Sequence, residues 1–409
     1  MGFGQGLSGL NAASQDLDVI GNNIANSATV GFKASSASFA DVYASSRVGL
    51  GAQVSHINQR FTVGTVESTG NQFDIAIDGP KGFFRLQDSS GGVLYSRNGE
   101  FFADKDWSLI NAQGHRLTAY NVDANGMPGN TLEPVRIPSG TSAPEATGNI
   151  TFAANLDASQ PAIDPATKPF DPNDATTYTK SDTLKVYDSL GNAHQLTQYF
   201  IKRAPDASGN SQWEVRYSGG ATLDIATPPK TLKYNANGVL IEPTAPVTLD
   251  ATVNTSATGS TAAPMSVSLN YNGSTQFSAP FATKFTVDGH TAGELTGVSF
   301  ATDGAIQANY TSGAPKILGY IALADFNNLQ GLQPVGGNAW AETSASGQAI
   351  MGTPGTNGLA KLKGQAVEKS NVDMGQEMVK MIIAQRTYQA NAQTIRTQDQ
   401  VLQTLITMR

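Results

Sequence analysis

Metal binding or proton transfer would fall first to the four histidines, His56, His115, His194 and His290. They stand far apart, with no H-x-H or H-x-x-x-H spacing, so no zinc-type site is expected. Each reads as a solvated loop or strand histidine. Carboxylates need more care, because glycosidase pairs carry no local motif. Asp74 and Asp78 flank Ile75-Ala76-Ile77, and Asp104 and Asp106 sit beside Trp107. Both pairs read as turn and strand-end carboxylates. Asp171, Asn173 and Asp174 lack the glycine and final glutamate of an EF-hand loop and read as a Pro/Asp turn. There is no P-loop, no G-x-G-x-x-G between a strand and a helix, and no G-x-S-x-G. The absence of cysteine removes disulfides, thiolate ligands and cysteine nucleophiles together. The chain is therefore expected to be no enzyme, with no catalytic residue, metal or cofactor.

Composition narrows the partners. Charged residues are 14% of the 409, against roughly 25% in ordinary soluble domains. A net charge of −7 argues against nucleic acid or an anionic membrane surface as partner. No run approaches the roughly 18 apolar residues that mark a bilayer span, so no membrane insertion is expected. Met1-Gly2-Phe3-Gly4-Gln5 lacks the basic and apolar regions of a secretory signal peptide. Export, if it occurs, is expected by a route that cleaves no such peptide.

The elements that could position anything differ between ends and middle. Phe3, Leu7, Leu10, Ala13, Leu17, Ile20 and Ile24 recur at helical spacing within an arc of roughly 140°. Phe3, Leu10, Leu17 and Ile24 are also seven apart, as in a coiled-coil seam. Gly6, Gly9 and Gly21 each weaken a helix by about 1 kcal/mol against Ala, and Gly21-Asn22-Asn23 is expected to unwind its end. From Val372 to Met408 there is no proline. Steps of four and three pick out Met374, Met378, Met381, Gln385, Tyr388, Ala392, Ile395, Asp399, Leu402 and Ile406, a heptad seam with two polar interruptions. Ser370 and Asp373 are candidate N-caps. Such a helix would be about 55 Å long, too long for one domain to cover, so it should meet another long helix.

Residues 70–360 read as β. Phe83 to Leu86, Val93 to Tyr95 and Glu100 to Phe102 are short aromatic or β-branched runs separated by Gly91-Gly92 and Asn98-Gly99, both hairpin dipeptides. Thr183–Tyr187 and Gln195–Ile201 flank Asp188-Ser189-Leu190-Gly191, and Trp213, Val215 and Tyr217 alternate with polar residues. The fold class is mainly β with α-helical termini: antiparallel β-domains plus a coiled-coil domain made by the two ends. Low-complexity stretches near 138–148 and 243–264 suggest the boundaries. Residues 1–30 and 366–409 form the helical domain, and 31–70 and 356–365 a poorly periodic connector. Residues 71–145 and 284–355 form a host β-domain, with an inserted outer β-domain at 146–283.

Leu17-Asp18-Val19-Ile20-Gly21-Asn22-Asn23-Ile24-Ala25-Asn26-Ser27, followed by Val30-Gly31-Phe32-Lys33, resembles the N-terminal signature of the bacterial flagellar rod and hook axial protein family. Ser370-Asn371-Val372-Asp373, then Gln385-Arg386-Thr387-Tyr388-Gln389-Ala390-Asn391-Ala392 and Thr394 to Asp399, resemble its C-terminal signature. Asn71 to Ile77, Gly82-Phe83-Phe84 and Tyr95 to Gly99 resemble its β-domain. Length and the single inserted domain resemble the hook branch more than the shorter rod subunits.

The resemblance implies a subunit of a short curved tube, exported through the flagellar type III apparatus to the extracellular basal-body and hook region. Its partners would be further copies of itself, rod and hook–filament junction proteins, a hook cap and the export apparatus. The family's export-gate element would map onto Phe39 and Tyr43. Interface residues are expected at Phe3, Leu7, Leu10, Leu17, Ile20, Ile24, Met374, Met378, Met381, Tyr388, Ile395, Leu402 and Ile406. A distal rod protein, a secreted β-rich adhesin and a polysaccharide-acting enzyme stand as the alternatives.

Overall fold

The computed structural model describes residues 3–42, 51–123, 126–313 and 315–407. The chain divides into two compact units. The first comprises 1–139, 297–309 and 315–409, and the second 140–296 with 310–314.

In the first unit the two ends are helical, at Phe3–Ala25 and Met374–Thr407. The N-terminal helix does not unwind at Gly21. It continues to Ala25 because Asn23 is buried and bonded on both sides: its Nδ2 donates to the Ser35 carbonyl at 2.7 Å and its Oδ1 accepts the Ser35 N–H at 2.9 Å. The C-terminal helix opens on Asp373, whose Oδ1 accepts the Gln376 N–H at 3.1 Å, an N-cap that satisfies an orphan donor.

The helices run antiparallel and close. A Cβ on Gly6 would lie 3.0 Å from Ile395 Cγ1, and one on Gly9 2.8 Å from Asn391 Oδ1. These glycines weaken the helix in isolation, yet here they are what lets the second helix approach.

The connector holds a hairpin, Ser35–Val42 against Gly51–Gln59, with a register shift at Ser38/Phe39. Ser, Ala, Gln and Asn fill it, so neither face shows a run of alternating apolar residues. It packs on the N-terminal helix, where Gly51 (φ 124°) leaves no room for a Cβ beside Ser8.

The first unit's sheet is centred on Phe83–Gln87, which pairs with Val93–Ser96 on one side and Arg116–Val122 on the other. Ala339–Ala341 and Gln333–Gly336 extend it. Its core is aromatic: Phe61, Phe83, Tyr95, Phe326 and Trp340 meet edge to face, the arrangement that ring quadrupoles favour. Asn98-Gly99 makes no hairpin between neighbouring strands. The Gly99 carbonyl instead accepts the Ile75 N–H at 2.9 Å, and only Phe102–Ala103 of the following run is strand.

The second unit has two five-stranded sheets. One contains, in spatial order, Leu223–Ile225, Val247–Val253, Met265–Asn270, Asn149–Asn155 and Ala282–Val287. The other follows chain order from Lys180–Tyr187 through Ala193–Arg203, Ser211–Ser218 and Lys230–Tyr234 to Leu240–Glu242. Both contribute alternating residues to a single core around Phe152, Phe200, Trp213 and Leu269, as in a β-sandwich. One correction applies to the antiparallel expectation: Asn149–Asn155 and Met265–Asn270 pair in parallel. The unit spans more chain than 146–283, taking in 140–145 and 284–296 as well.

Candidate subunit interface and the joint beneath it

Three segments meet where the helices join the first unit's β-structure. Lys33 follows the N-terminal helix, Arg97 follows the Val93–Ser96 strand, and Glu368 ends the strand Ala366–Glu368 that precedes the C-terminal helix. All three are at most 2% exposed. Lys33 Nζ donates to Glu368 Oε1 at 2.6 Å and to the Thr62 carbonyl at 2.7 Å. Arg97 Nη1 donates to Glu368 Oε2 at 3.1 Å and to the Gly79 carbonyl at 3.0 Å. The Gly64 N–H gives Glu368 Oε1 a further bond at 2.8 Å. The Arg97 guanidinium lies 5.3 Å from the Phe83 ring centroid. Burial pushes the Lys33 ammonium below its ordinary pKa, while the Glu368 carboxylate holds it up. Burial likewise lowers Arg97 against the pull of Glu368. One carboxylate thus serves two buried cations, and removing it would strand both.

Asparagines complete the joint. Asn371 Oδ1 accepts the Ala34 N–H at 2.7 Å, and its Nδ2 donates to the Arg60 carbonyl at 2.7 Å. Asn23 Nδ2 also reaches Glu377 Oε2 at 3.0 Å. Gly31, at φ 72°, cannot carry a side chain, because a Cβ would lie 2.5 Å from the Asn98 backbone nitrogen. Lys33, Asn371, Gly31 and Asn23 all lie inside the terminal signature runs, and Arg97 lies in the β-domain run. Sequence reasoning gave Lys33, Arg97 and Asn371 no role, because Glu368 and Ala34, which they bind, are hundreds of residues away.

Above this joint the helix pair leaves much apolar surface bare. Of the N-terminal stripe Ala13 and Ile20 are buried. Leu10, Leu17 and Ile24 are half-buried, and Phe3 and Leu7 exposed. On the C-terminal helix Met381 and Ile395 are half-buried, while Met374, Met378, Tyr388, Leu402 and Ile406 are exposed. Side chains that bury fully between the helices include Ala13, Ala384 and Glu377. Ile395 meets Gly6. Because Gly6 lies opposite Ile395, the N-terminal helix ends near residue 398 of its partner, and the last turns overhang it. That is why Leu402 and Ile406, 52% and 74% exposed, have no cover. Val379, Ile382 and Ile383, each more than half exposed, form a second apolar surface that the heptad stepping passed over.

Phe39 is exposed on the hairpin, and Tyr43 lies outside the described residues. Among the described residues no group of three or more His, Cys, Asp or Glu could hold a metal. His194 departs from the solvated reading. It is 3% exposed, and its Nε2 lies 3.1 Å from Asp188 Oδ2. Burial works to raise the Asp188 pKa, but hydrogen bonds from His194, Asn192 and the Leu190 N–H outweigh it and leave the carboxyl below its ordinary value. This pair braces a hairpin, since Asp188 Oδ1 accepts the Leu190 and Asn192 N–H groups. Asp104 holds its own turn by accepting the Asp106 and Ser108 N–H groups.

Family profiles cover most of the chain. Flagella basal body rod protein matches 5–33, and the flagellar hook protein FlgE/F/G D1 domain matches 76–155. The flagellar basal body protein FlaE D2 domain matches 155–290, and the flagellar basal body rod FlgEFG protein C-terminal region matches 363–408. In fold the chain is similar to a crystal structure of Helicobacter pylori flagellar hook protein FlgE2, with TM-score 0.53 and 14% identity over 74% of this chain and 99% of that one. In sequence it is 44% identical to flagellar hook protein FlgE of Salmonella typhimurium over the full length of both, and 43% identical to that of Escherichia coli K12 over the full length of both. The Borreliella burgdorferi hook protein is 31% identical over 99% of this chain and 98% of its own length. Two helices with unfinished apolar faces, carried on β-domains, thus have full-length relatives that are structural rather than enzymatic, and this chain belongs to the flagellar hook protein family.

Proposed function

We propose that this hook subunit polymerises through its paired terminal helices into a curved, flexible tube that links rod to filament as a universal joint. The observation that carries this reading is the bare apolar surface of the helix pair in a single chain. Burying one Leu- or Ile-sized side chain contributes about 1.5–3 kcal/mol, so a few such contacts per neighbour offset the ordering of long ends. Phe3, Leu7, Met374, Met378, Tyr388, Leu402 and Ile406 are the residues offered to neighbours; Leu10, Leu17, Ile20, Ile24, Met381 and Ile395 serve chiefly within the pair. Exposed Gln389, Gln393, Gln400 and Gln403 would give an axial channel an uncharged polar wall. Rod and junction proteins, a cap and the type III export apparatus are the further partners in this reading, with Phe39 and Tyr43 as the element the export gate reads.

Leu402→Asp tests the reading, because Leu402 is exposed in the single chain and its loss should not disturb folding. The expected result is a soluble protein with unchanged circular dichroism that forms no hooks. Normal hooks built from the variant would overturn the proposal. Limited proteolysis of dilute protein adds a second reading: the overhanging turns that carry exposed Leu402 and Ile406 are expected to be cut before the β-units, and full protection of those turns would count against it.

A further inference from the structure

Asparagine followed by glycine is a dipeptide open to self-modification, because glycine has no side chain to hinder its nitrogen from attacking the asparagine amide. The chain has five: Asn98-Gly99, Asn125-Gly126, Asn237-Gly238, Asn272-Gly273 and Asn357-Gly358. Asn125 lies outside the described residues, and the fold sorts the other four into two pairs. One pair is locked. Asn98 Oδ1 accepts the Glu100 N–H at 2.9 Å, and the carbonyl of buried Gly99 accepts the Ile75 N–H at 2.9 Å. Gly238 is buried too. Its N–H donates to the Asn235 carbonyl at 2.9 Å, and its carbonyl accepts the Gln276 N–H at 2.9 Å, so the attacking nitrogen is held in its turn. The other pair is free to move. Asn272, Gly273, Asn357 and Gly358 are all exposed. Among the described residues no hydrogen bond holds either asparagine side chain or either glycine N–H. A Cβ on Gly273 or Gly358 would meet nothing within 4 Å, so each turn has room to swing the glycine nitrogen onto the side chain.

We infer that Asn272 and Asn357 are sites of spontaneous deamidation, one in each unit, while the fold protects Asn98 and Asn237. The chemistry belongs to the single chain and is independent of assembly. The glycine nitrogen loses its proton and bonds to the asparagine Cγ, the Cγ–Nδ2 bond breaks, and the proton leaves with ammonia. Water then opens the five-membered imide. Cleavage of the new Cγ–N bond gives aspartate. Cleavage of the original backbone C–N bond gives isoaspartate, with the chain rerouted through Cβ and Cγ. Either product adds one negative charge to a chain whose net charge is −7. At Asn272 the change falls beside Tyr271, which is 2% exposed and donates from its hydroxyl to Gln198 Oε1 at 2.9 Å. A rerouted backbone there acts directly on a residue of the sandwich core.

The full-length chain is incubated in mildly alkaline buffer, folded and in guanidinium chloride, and digested at intervals. Mass spectrometry follows the exchange of amide for acid at each of the four sites. The unfolded chain supplies the intrinsic rate of each dipeptide, so the ratio of folded to unfolded rates isolates what the fold does. Asn272 and Asn357 are expected to convert in the folded chain within about three-fold of their unfolded rates, because no local opening is needed. Asn98 and Asn237 react only through local opening and are expected to slow by about ten-fold or more. Strong protection of Asn272 or Asn357, or conversion of Asn98 or Asn237 as fast in the folded chain as in the denaturant, would overturn the assignment at that site.

Discussion

The sandwich of the second unit and the helix pair of the first are both built from amphipathic elements, but only the sandwich finishes its core within one chain. Phe152, Phe200, Trp213 and Leu269 are each at most 1% exposed, drawn from two sheets that face each other. In the helix pair, Leu402, Ile406, Ile382 and Ile383 are more than half exposed, and Gly6 and Gly9 set the close approach of the two helices. A sheet can be covered by another sheet from the same insert. A 34-residue helix has only a 23-residue partner and is apolar on more than one side near its start. The difference separates what a single chain stabilises from what its neighbours must supply.

That contrast can be broken most forcefully at the joint. Glu368→Gln leaves Lys33 and Arg97 buried without their carboxylate and should cost about 3–5 kcal/mol. Urea unfolding should show the first unit's transition move to lower denaturant while the sandwich transition stays in place. Phe152→Ala makes the opposite cut, removing a stacked ring from the sandwich core at about 3–5 kcal/mol and leaving the first unit's transition and hook formation intact. Loss of hooks in that variant would mean the units are not independent.

Smaller effects sharpen the comparison. Gly6→Ala should gain about 1 kcal/mol of helix propensity but lose about 1–3 kcal/mol to overpacking against Ile395, a net destabilisation of the helix pair seen by hydrogen exchange. Gly21→Ala has nothing within 4 Å of the new Cβ and should stabilise the soluble chain by up to about 1 kcal/mol. The smallest effect lies at Asp188. Its folded carboxyl ionises at lower pH than the unfolded one, so its contribution is intact above about pH 4 and fades as acid carries the pH down through the folded value. Asp188→Asn should flatten that part of the sandwich's acid sensitivity in melting curves taken from about pH 5 downward through the acid range.

Much of this was legible where neighbours in sequence are neighbours in space. The helical stripes, the Asp188 turn and the alternation of Trp213 and Val215 are local signals, and each marks an element present in the fold. The hairpin at Ser35–Gln59 lacked an apolar face to betray it. Asn98-Gly99 carried the right dipeptide for a hairpin, but Gly99 is claimed by Ile75 instead. Val379, Ile382 and Ile383 were passed over because a seven-residue step follows a single seam and is blind to a second face. The Lys33–Glu368 and Arg97–Glu368 pairs have no local signature, and His194 was misjudged because only the folded hairpin brings it onto Asp188.

The joint also sets an order of events during synthesis. Lys33 and Arg97 are made early, and the carboxylate that neutralises them comes 335 and 271 residues later. Until then the first unit would have to bury two unpaired cations, which costs several kcal/mol per ion. The early segments are therefore expected to stay open until Glu368 has been made, while the sandwich, whose strands lie between residues 149 and 287, has all its partners in hand well before. A residue far along the chain thus decides when segments made long before it may fold.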